Sequence, residues 1–161
     1  MTVIREEDFI QSIAEGFQFI SYYHPIDYIQ ALSEAYEREK SPAAKDAMAQ
    51  ILVNSRMSAE GHRPMCQDTG ICVVFLKVGQ NVTFETKRSV QELVDEGVRR
   101  AYTDKGNTLR ASVLSDPAGK RQNTRDNTPA IVHVELVPGD TVDVRIAAKG
   151  GGSENKSKYV M

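Results

Sequence analysis

The apolar residues of this chain change period near Pro64, and that switch constrains the fold more than any single motif. Upstream, Phe9, Ile10, Ile13, Phe17 and Ile20 recur at steps of three and four behind an acidic opening, Glu6-Glu7-Asp8, that suits a helix N-terminus. His24-Pro25 interrupts the pattern, and Ile26, Ile29, Leu32 and Tyr36 resume it. Ser41-Pro42 then opens a third helix, with Ser as N-cap and Pro at the first helical position. Ala44, Met48, Ile51 and Leu52 line that helix, which should stop before Gly61 with Pro64 enforcing the break. Downstream, Ile71 to Val78 is rich in β-branched residues and bounded by glycines, so it reads as a buried strand, with Val82 to Glu85 as its hairpin partner. Ser89 and Glu92 form a capping box for one more helix, carrying Val90, Leu93, Val94, Val98, Ala101 and Tyr102. Ala130 to Val137 and Thr141 to Ala147 alternate with period two across Pro138-Gly139-Asp140, which reads as a hairpin. Helical and strand runs are segregated rather than alternating. That predicts an α+β fold: a helical N-terminal half, residues 1–62, followed over 63–161 by a mainly antiparallel sheet with a packed helix.

Composition removes several classes of function. Twenty Lys and Arg stand against twenty-two Asp and Glu, a formal charge of −2, which takes away the usual electrostatic case for nucleic acid or an anionic membrane as partner. No apolar run approaches the ~20 residues that span a bilayer. The N-terminus turns acidic at once, unlike a secretory signal. Two cysteines, Cys66 and Cys72, are too few for a disulfide scaffold, and their spacing fits neither a redox pair nor half a zinc site. A reducing, cytoplasmic setting is expected.

Three segments could carry chemistry. Arg63-Pro64-Met65-Cys66-Gln67-Asp68-Thr69-Gly70 places a thiol, an amide, a carboxylate and a hydroxyl on one loop between a helix and a strand, although Asp-Thr-Gly is equally good turn material. Arg110, in Asn107-Thr108-Leu109-Arg110-Ala111-Ser112, has the planar fork that grips a carboxylate, or is a solvated surface residue within the long polar stretch from Asp104 to Asn127. Lys149-Gly150-Gly151-Gly152-Ser153 could turn successive backbone N–H groups on an anion, or be a flexible exit from a strand. His24, His62 and His133 are scattered without ligand spacing, and Cys72, inside the apolar strand, reads as core.

Together these segments resemble one family. RPMCQDTG, NTLRAS, DNTPAIVHVELVPGDTVDVRIAAKGGGSENKS and the opening FQFISYYHPIDYIQAL are similar to the N-terminal portion of the class I fumarate hydratases, oxygen-sensitive iron–sulfur hydro-lyases. The resemblance implies reversible hydration of fumarate to L-malate, a step of the citric acid cycle. It implies that Cys66 is one of three ligands of a [4Fe–4S] cluster and that Gln67 and Asp68 line the substrate site, with Asp68 catalytic in proton transfer. It further implies that Arg110 binds a substrate carboxylate and that Gly150, Gly151 and Gly152 lend backbone to the site. An iron without a protein ligand would act as Lewis acid on the substrate hydroxyl. A homodimer is implied for the full-length enzyme.

The chain departs from that family in holding one motif cysteine where three are needed. The expectation is therefore a truncated N-terminal part of a larger catalytic domain, inactive by itself. A dehydratase for a related hydroxy-dicarboxylate such as tartrate, and a non-catalytic dicarboxylate-binding module, are the competing readings.

Overall fold

A four-residue strand that the sequence pattern does not announce opens the chain: β1, Thr2–Arg5, runs directly into α1, Glu6–Tyr22. The structure, a computed structural model, describes residues 1–151 and 160–161. No side chain caps α1, but Glu6, Glu7 and Asp8 occupy its first turn, where the helix dipole favours negative charge. α2, Ile26–Arg38, starts behind Pro25, whose ring drives His24 out of helical geometry. α3, Pro42–Gly61, begins with proline at its first position as expected, and its next residue, His62, adopts the left-handed conformation (φ 47°) common at helix ends. β2, Ile71–Gly79, and β3, Val82–Glu85, follow. α4, Val90–Thr103, carries the expected capping box of Ser89 and Glu92. After a long connection come β4, Ile131–Val137, and β5, Val142–Lys149.

The fold is α+β as expected, but its sheet is mixed rather than mainly antiparallel. β2 is the central strand, parallel to β4 on one side (Val73 opposite Ile131) and antiparallel to β5 on the other (Ile71 opposite Lys149). β4 and β5 therefore do not pair as a hairpin. Their connection crosses the end of β2, where Gly79 N–H donates to Thr141 O at 2.9 Å and Gln80 N–H donates to Val137 O at 2.9 Å. Gly79 permits the crossing, because a Cβ there would lie 2.6 Å from Gly139 O. β3 likewise leaves β2 and pairs in parallel with β1, Thr2 opposite Val82. Local period and turn chemistry mark where strands are, while the choice of partner depends on residues far along the chain.

Pleating sends Cys72, Val74, Leu76 and Val78 to one face of β2, where they join one buried cluster with Phe9, Ile10, Ile13, Ala14 and Phe17 of α1 and Leu93, Val94, Val98, Ala101 and Tyr102 of α4. Each large apolar side chain so buried stabilises by roughly 1.5–3 kcal/mol. α1 and α4 approach closely at Gly97, where a Cβ would sit 2.6 Å from the Cβ of Ile13. The opposite sheet face leaves Ile71, Phe75 and Ile131 exposed. α2 buries no residue and α3 buries only Ser55 and Ser58. No helix among the described residues is long and apolar enough to cross a membrane.

Candidate functional site

The end of α3 and the start of β2 hold the 63–70 loop between them. Met65 N–H donates to Ser21 O at 2.9 Å, and Asn54 Nδ2 donates to Met65 O at 2.9 Å, so the loop is pinned to two helices before it reaches its polar residues. Cys66 is exposed, its Sγ 3.4 Å from Gln67 Oε1. The Asp68 carboxylate accepts from Gly70 N–H at 3.2 Å, the local turn that the sequence offers as the alternative to a site. The turn and the site are thus the same structure. Gly70 has φ 81°, and a Cβ on it would lie 2.7 Å from the Lys149 carbonyl carbon, so both conformation and close approach demand glycine.

That approach brings the end of β5 onto the loop. A Cβ on Gly150 would sit 3.0 Å from Asp68 Oδ2, which places this glycine backbone against the carboxylate. Lys149 Nζ donates to Gly150 O at 2.6 Å. The third segment enters through Thr69, whose hydroxyl donates to Arg110 O at 2.5 Å. The Arg110 guanidinium is exposed and makes no ion pair among the described residues. Gln67, Asp68, Arg110 and Gly151, with Gly70, Ser112 and Lys149, line one cleft of about 330 Å³. Asp68 also borders a second hollow, of about 180 Å³, with Cys66, Thr69 and Tyr102. Of the residues singled out from sequence, Cys66, Gln67, Asp68, Arg110, Gly150 and Gly151 therefore meet at one end of the sheet. Gly152 lies outside the described residues.

Beneath the cleft is a layer that sequence reasoning missed. Tyr102, expected only as an apolar face residue of α4, is 2% exposed and donates from its hydroxyl to Thr69 O at 2.7 Å. Burial holds that hydroxyl well above the ordinary tyrosine range. Asn127 is fully buried and bonds Gly70 O and Cys72 Sγ at 2.8 and 3.5 Å. It belongs to the DNTPA motif, but nothing in its neighbours announces burial. Burial also pushes the Cys72 thiol up to about 11, so it stays protonated where a metal ligand needs a thiolate.

The donor set bears on the expected cluster. Among the described residues no group of three or more His, Cys, Asp and Glu could hold a metal ion, and Cys66 is the exposed thiol. These residues do not hold an iron–sulfur cluster by themselves. Of the two thiols, Cys66 is the one with the access that a ligand needs.

A sequence model of the fumarate hydratase (Fumerase) family matches residues 10–161, and the chain belongs to that family. It is 33% identical over 153 residues to the "Putative L(+)-tartrate dehydratase subunit alpha" of Methanocaldococcus jannaschii, covering 92% of this chain and 53% of that protein. To the "Fumarate hydratase class I, anaerobic" of Escherichia coli it is 33% identical over 133 residues, 83% of this chain and 24% of the relative. The "Fumarate hydratase class I, aerobic" of the same species is 34% identical over 119 residues, with 74% and 21% covered. The chain thus spans about half the length of the tartrate dehydratase relative and under a quarter of these two fumarate hydratases. The resemblance to class I fumarate hydratases carried by the motifs holds.

Proposed function

We propose that this chain supplies the dicarboxylate-binding part of a hydro-lyase that adds water across the double bond of fumarate to give L-malate and reverses that step. The observation that carries the reading is the convergence of the Gln67-Asp68 loop, Arg110 and the Gly150-Gly151 backbone on one cleft in a chain of this family. A four-carbon dicarboxylate presents two anionic ends. Arg110 grips one of them through paired, charge-assisted hydrogen bonds. Gln67 and the glycine N–H groups satisfy the remaining oxygens, fixing the substrate so that its C3 proton faces Asp68. The Asp68 carboxylate takes that proton from malate and, carrying it, returns it to fumarate.

Cys66 contributes one thiolate to a [4Fe–4S] cluster, with the other two cysteines coming from polypeptide outside these 161 residues. When bound, such a cluster supplies a Lewis-acid iron for the substrate hydroxyl. The enzyme so read works in a reducing cytoplasm, where an exposed thiol such as Cys66 persists, and as a homodimer; the uncovered apolar residues of α2, α3 and the outer sheet face leave surface for further polypeptide or a second copy. A second reading, dehydration of tartrate, is favoured by one observation: the chain spans about half of tartrate dehydratase alpha subunits, against about a quarter of the fumarate hydratases it matches. Both readings share the carboxylate grip and differ in the groups facing C2 and C3.

The test is turnover of fumarate, L-malate and L(+)-tartrate by the assembled enzyme after anaerobic loading with iron and sulfide. Fumarate and L-malate should interconvert, Cys66→Ser should lose cluster absorption and activity together, and Arg110→Ala should raise KM roughly 10- to 100-fold. Tartrate turnover alone would favour the second reading. A fully loaded enzyme inert on all three would contradict both.

A further inference from the structure

The two substrate-facing segments are tied to one another from below by side chains with no place in the chemistry proposed above. Asn127 is fully buried, adopts φ 63°, a left-handed conformation that asparagine tolerates, and uses both ends of its amide. Its Nδ2 donates to Gly70 O at 2.8 Å, at the foot of the Asp68 turn. Its Oδ1 accepts from Ser112 N–H at 2.8 Å and from Val113 N–H at 3.2 Å, just beyond Arg110. Thr69 makes the second tie, from its hydroxyl to the Arg110 carbonyl at 2.5 Å. The backbone is therefore held at the Arg110 carbonyl and again two and three residues beyond it, and each tie leads back to the loop that carries Asp68. Arg110 makes no ion pair among the described residues, so the position of its backbone is what limits the reach of its guanidinium.

We propose that Asn127 and Thr69 are positioning residues that fix the span between Arg110 and Asp68, and thereby set the length of dicarboxylate the cleft accepts. The proposal rests on the dicarboxylate reading above and goes beyond it in naming what makes the site selective. A substrate held at one carboxylate by Arg110 presents its reacting carbon to Asp68 only if its length matches that span. A displacement on the order of 1 Å at such a site costs about a hundredfold. Loosening the ties should thus penalise the matched ligand most and bring ligands of other lengths closer to it.

The experiment compares competitive inhibition of the assembled hydro-lyase by malonate, succinate and glutarate, whose carboxylates are separated by one, two and three methylenes. The wild type should prefer succinate. Thr69→Val removes the hydroxyl at nearly constant shape and should cut that preference about tenfold while thermal stability changes little, and Thr69→Ser should restore it. Asn127→Asp keeps the acceptor for Ser112 and Val113 but loses the donor to Gly70, and should cut the preference likewise. A merely structural role would weaken all three inhibitors in proportion and leave their ratio unchanged. If Asn127→Asp does not fold, Thr69→Val with its serine rescue decides alone. An unchanged inhibitor ratio in folded Thr69→Val overturns the proposal and leaves the dicarboxylate reading standing. A wild type that binds none of the three overturns that reading, and this proposal with it.

Discussion

α1 and α2 carry the same kind of apolar spacing in sequence, yet their fates differ. Phe9, Ile10, Ile13, Ala14 and Phe17 of α1 are all buried, whereas α2 buries nothing and its Ile26 is 75% exposed. The difference lies in what each helix meets. α1 lies against α4 and the inner sheet face, while α2 meets mainly α3, itself buried only at Ser55 and Ser58. Periodicity states that a helix has an apolar face. Whether that face is covered depends on the rest of the fold, and here one half of the helical layer is anchored in the core while the other stands out from it.

The largest effect that separates these halves is expected from Phe17→Ala, which empties a site 1% exposed and should destabilise by about 3–5 kcal/mol in urea unfolding. A loss under about 1 kcal/mol would mean that α1 is not the core helix described here. Next comes a pH effect confined to the buried side. Because burial raises the folded-state value of Cys72 to about 11 from an ordinary 9.0, the unfolded chain deprotonates first. The thiol's contribution is complete below pH 9 and is lost as pH rises toward 11, roughly 3 kcal/mol in all. Unfolding of wild type and Cys72→Ala across that window measures it: the two should converge as pH rises, and parallel curves would place Cys72 in contact with water. Gly97→Ala should cost about 1–3 kcal/mol despite the better helix former, because its Cβ would collide with Ile13. A stabilised variant would show that α1 and α4 have slack between them. Smallest of all, Ile26→Ala should stay within about 0.5 kcal/mol. A cost near that of Phe17→Ala would reveal that α2 is covered in solution.

Much of this was readable from sequence where the cause is local. Pro42 at a first helical position, the Ser89–Glu92 capping box and the apolar run of β2 each act through neighbours within a few residues, and each forms where expected. The sheet was misjudged because Pro138-Gly139-Asp140 satisfies the chemistry of a turn equally well when a third strand lies between the arms it joins. β1 escaped notice because it is four residues long and is stabilised by β3, some eighty positions away. The candidate site was legible through its polar residues, exposed Cys66, Gln67 and Arg110 and half-buried Asp68. Its support was not: Asn127 looks like a loop asparagine until the fold closes over it, and Tyr102 looks like any aromatic on an apolar helix face. Support of this kind consists of contacts between segments 33 and 57 residues apart, which no local pattern records.

The most direct test of one shared dicarboxylate cleft is the alkylation rate of Cys66 in the iron-free full chain, with buried Cys72 as the slow internal standard. Cys66 borders the hollow that Asp68 shares with the cleft. The account predicts that L-malate or fumarate slows its modification in a saturable manner, that acetate at equal ionic strength does not, and that Arg110→Ala removes the protection. Equal rates with and without dicarboxylate, or protection that survives loss of Arg110, would contradict it.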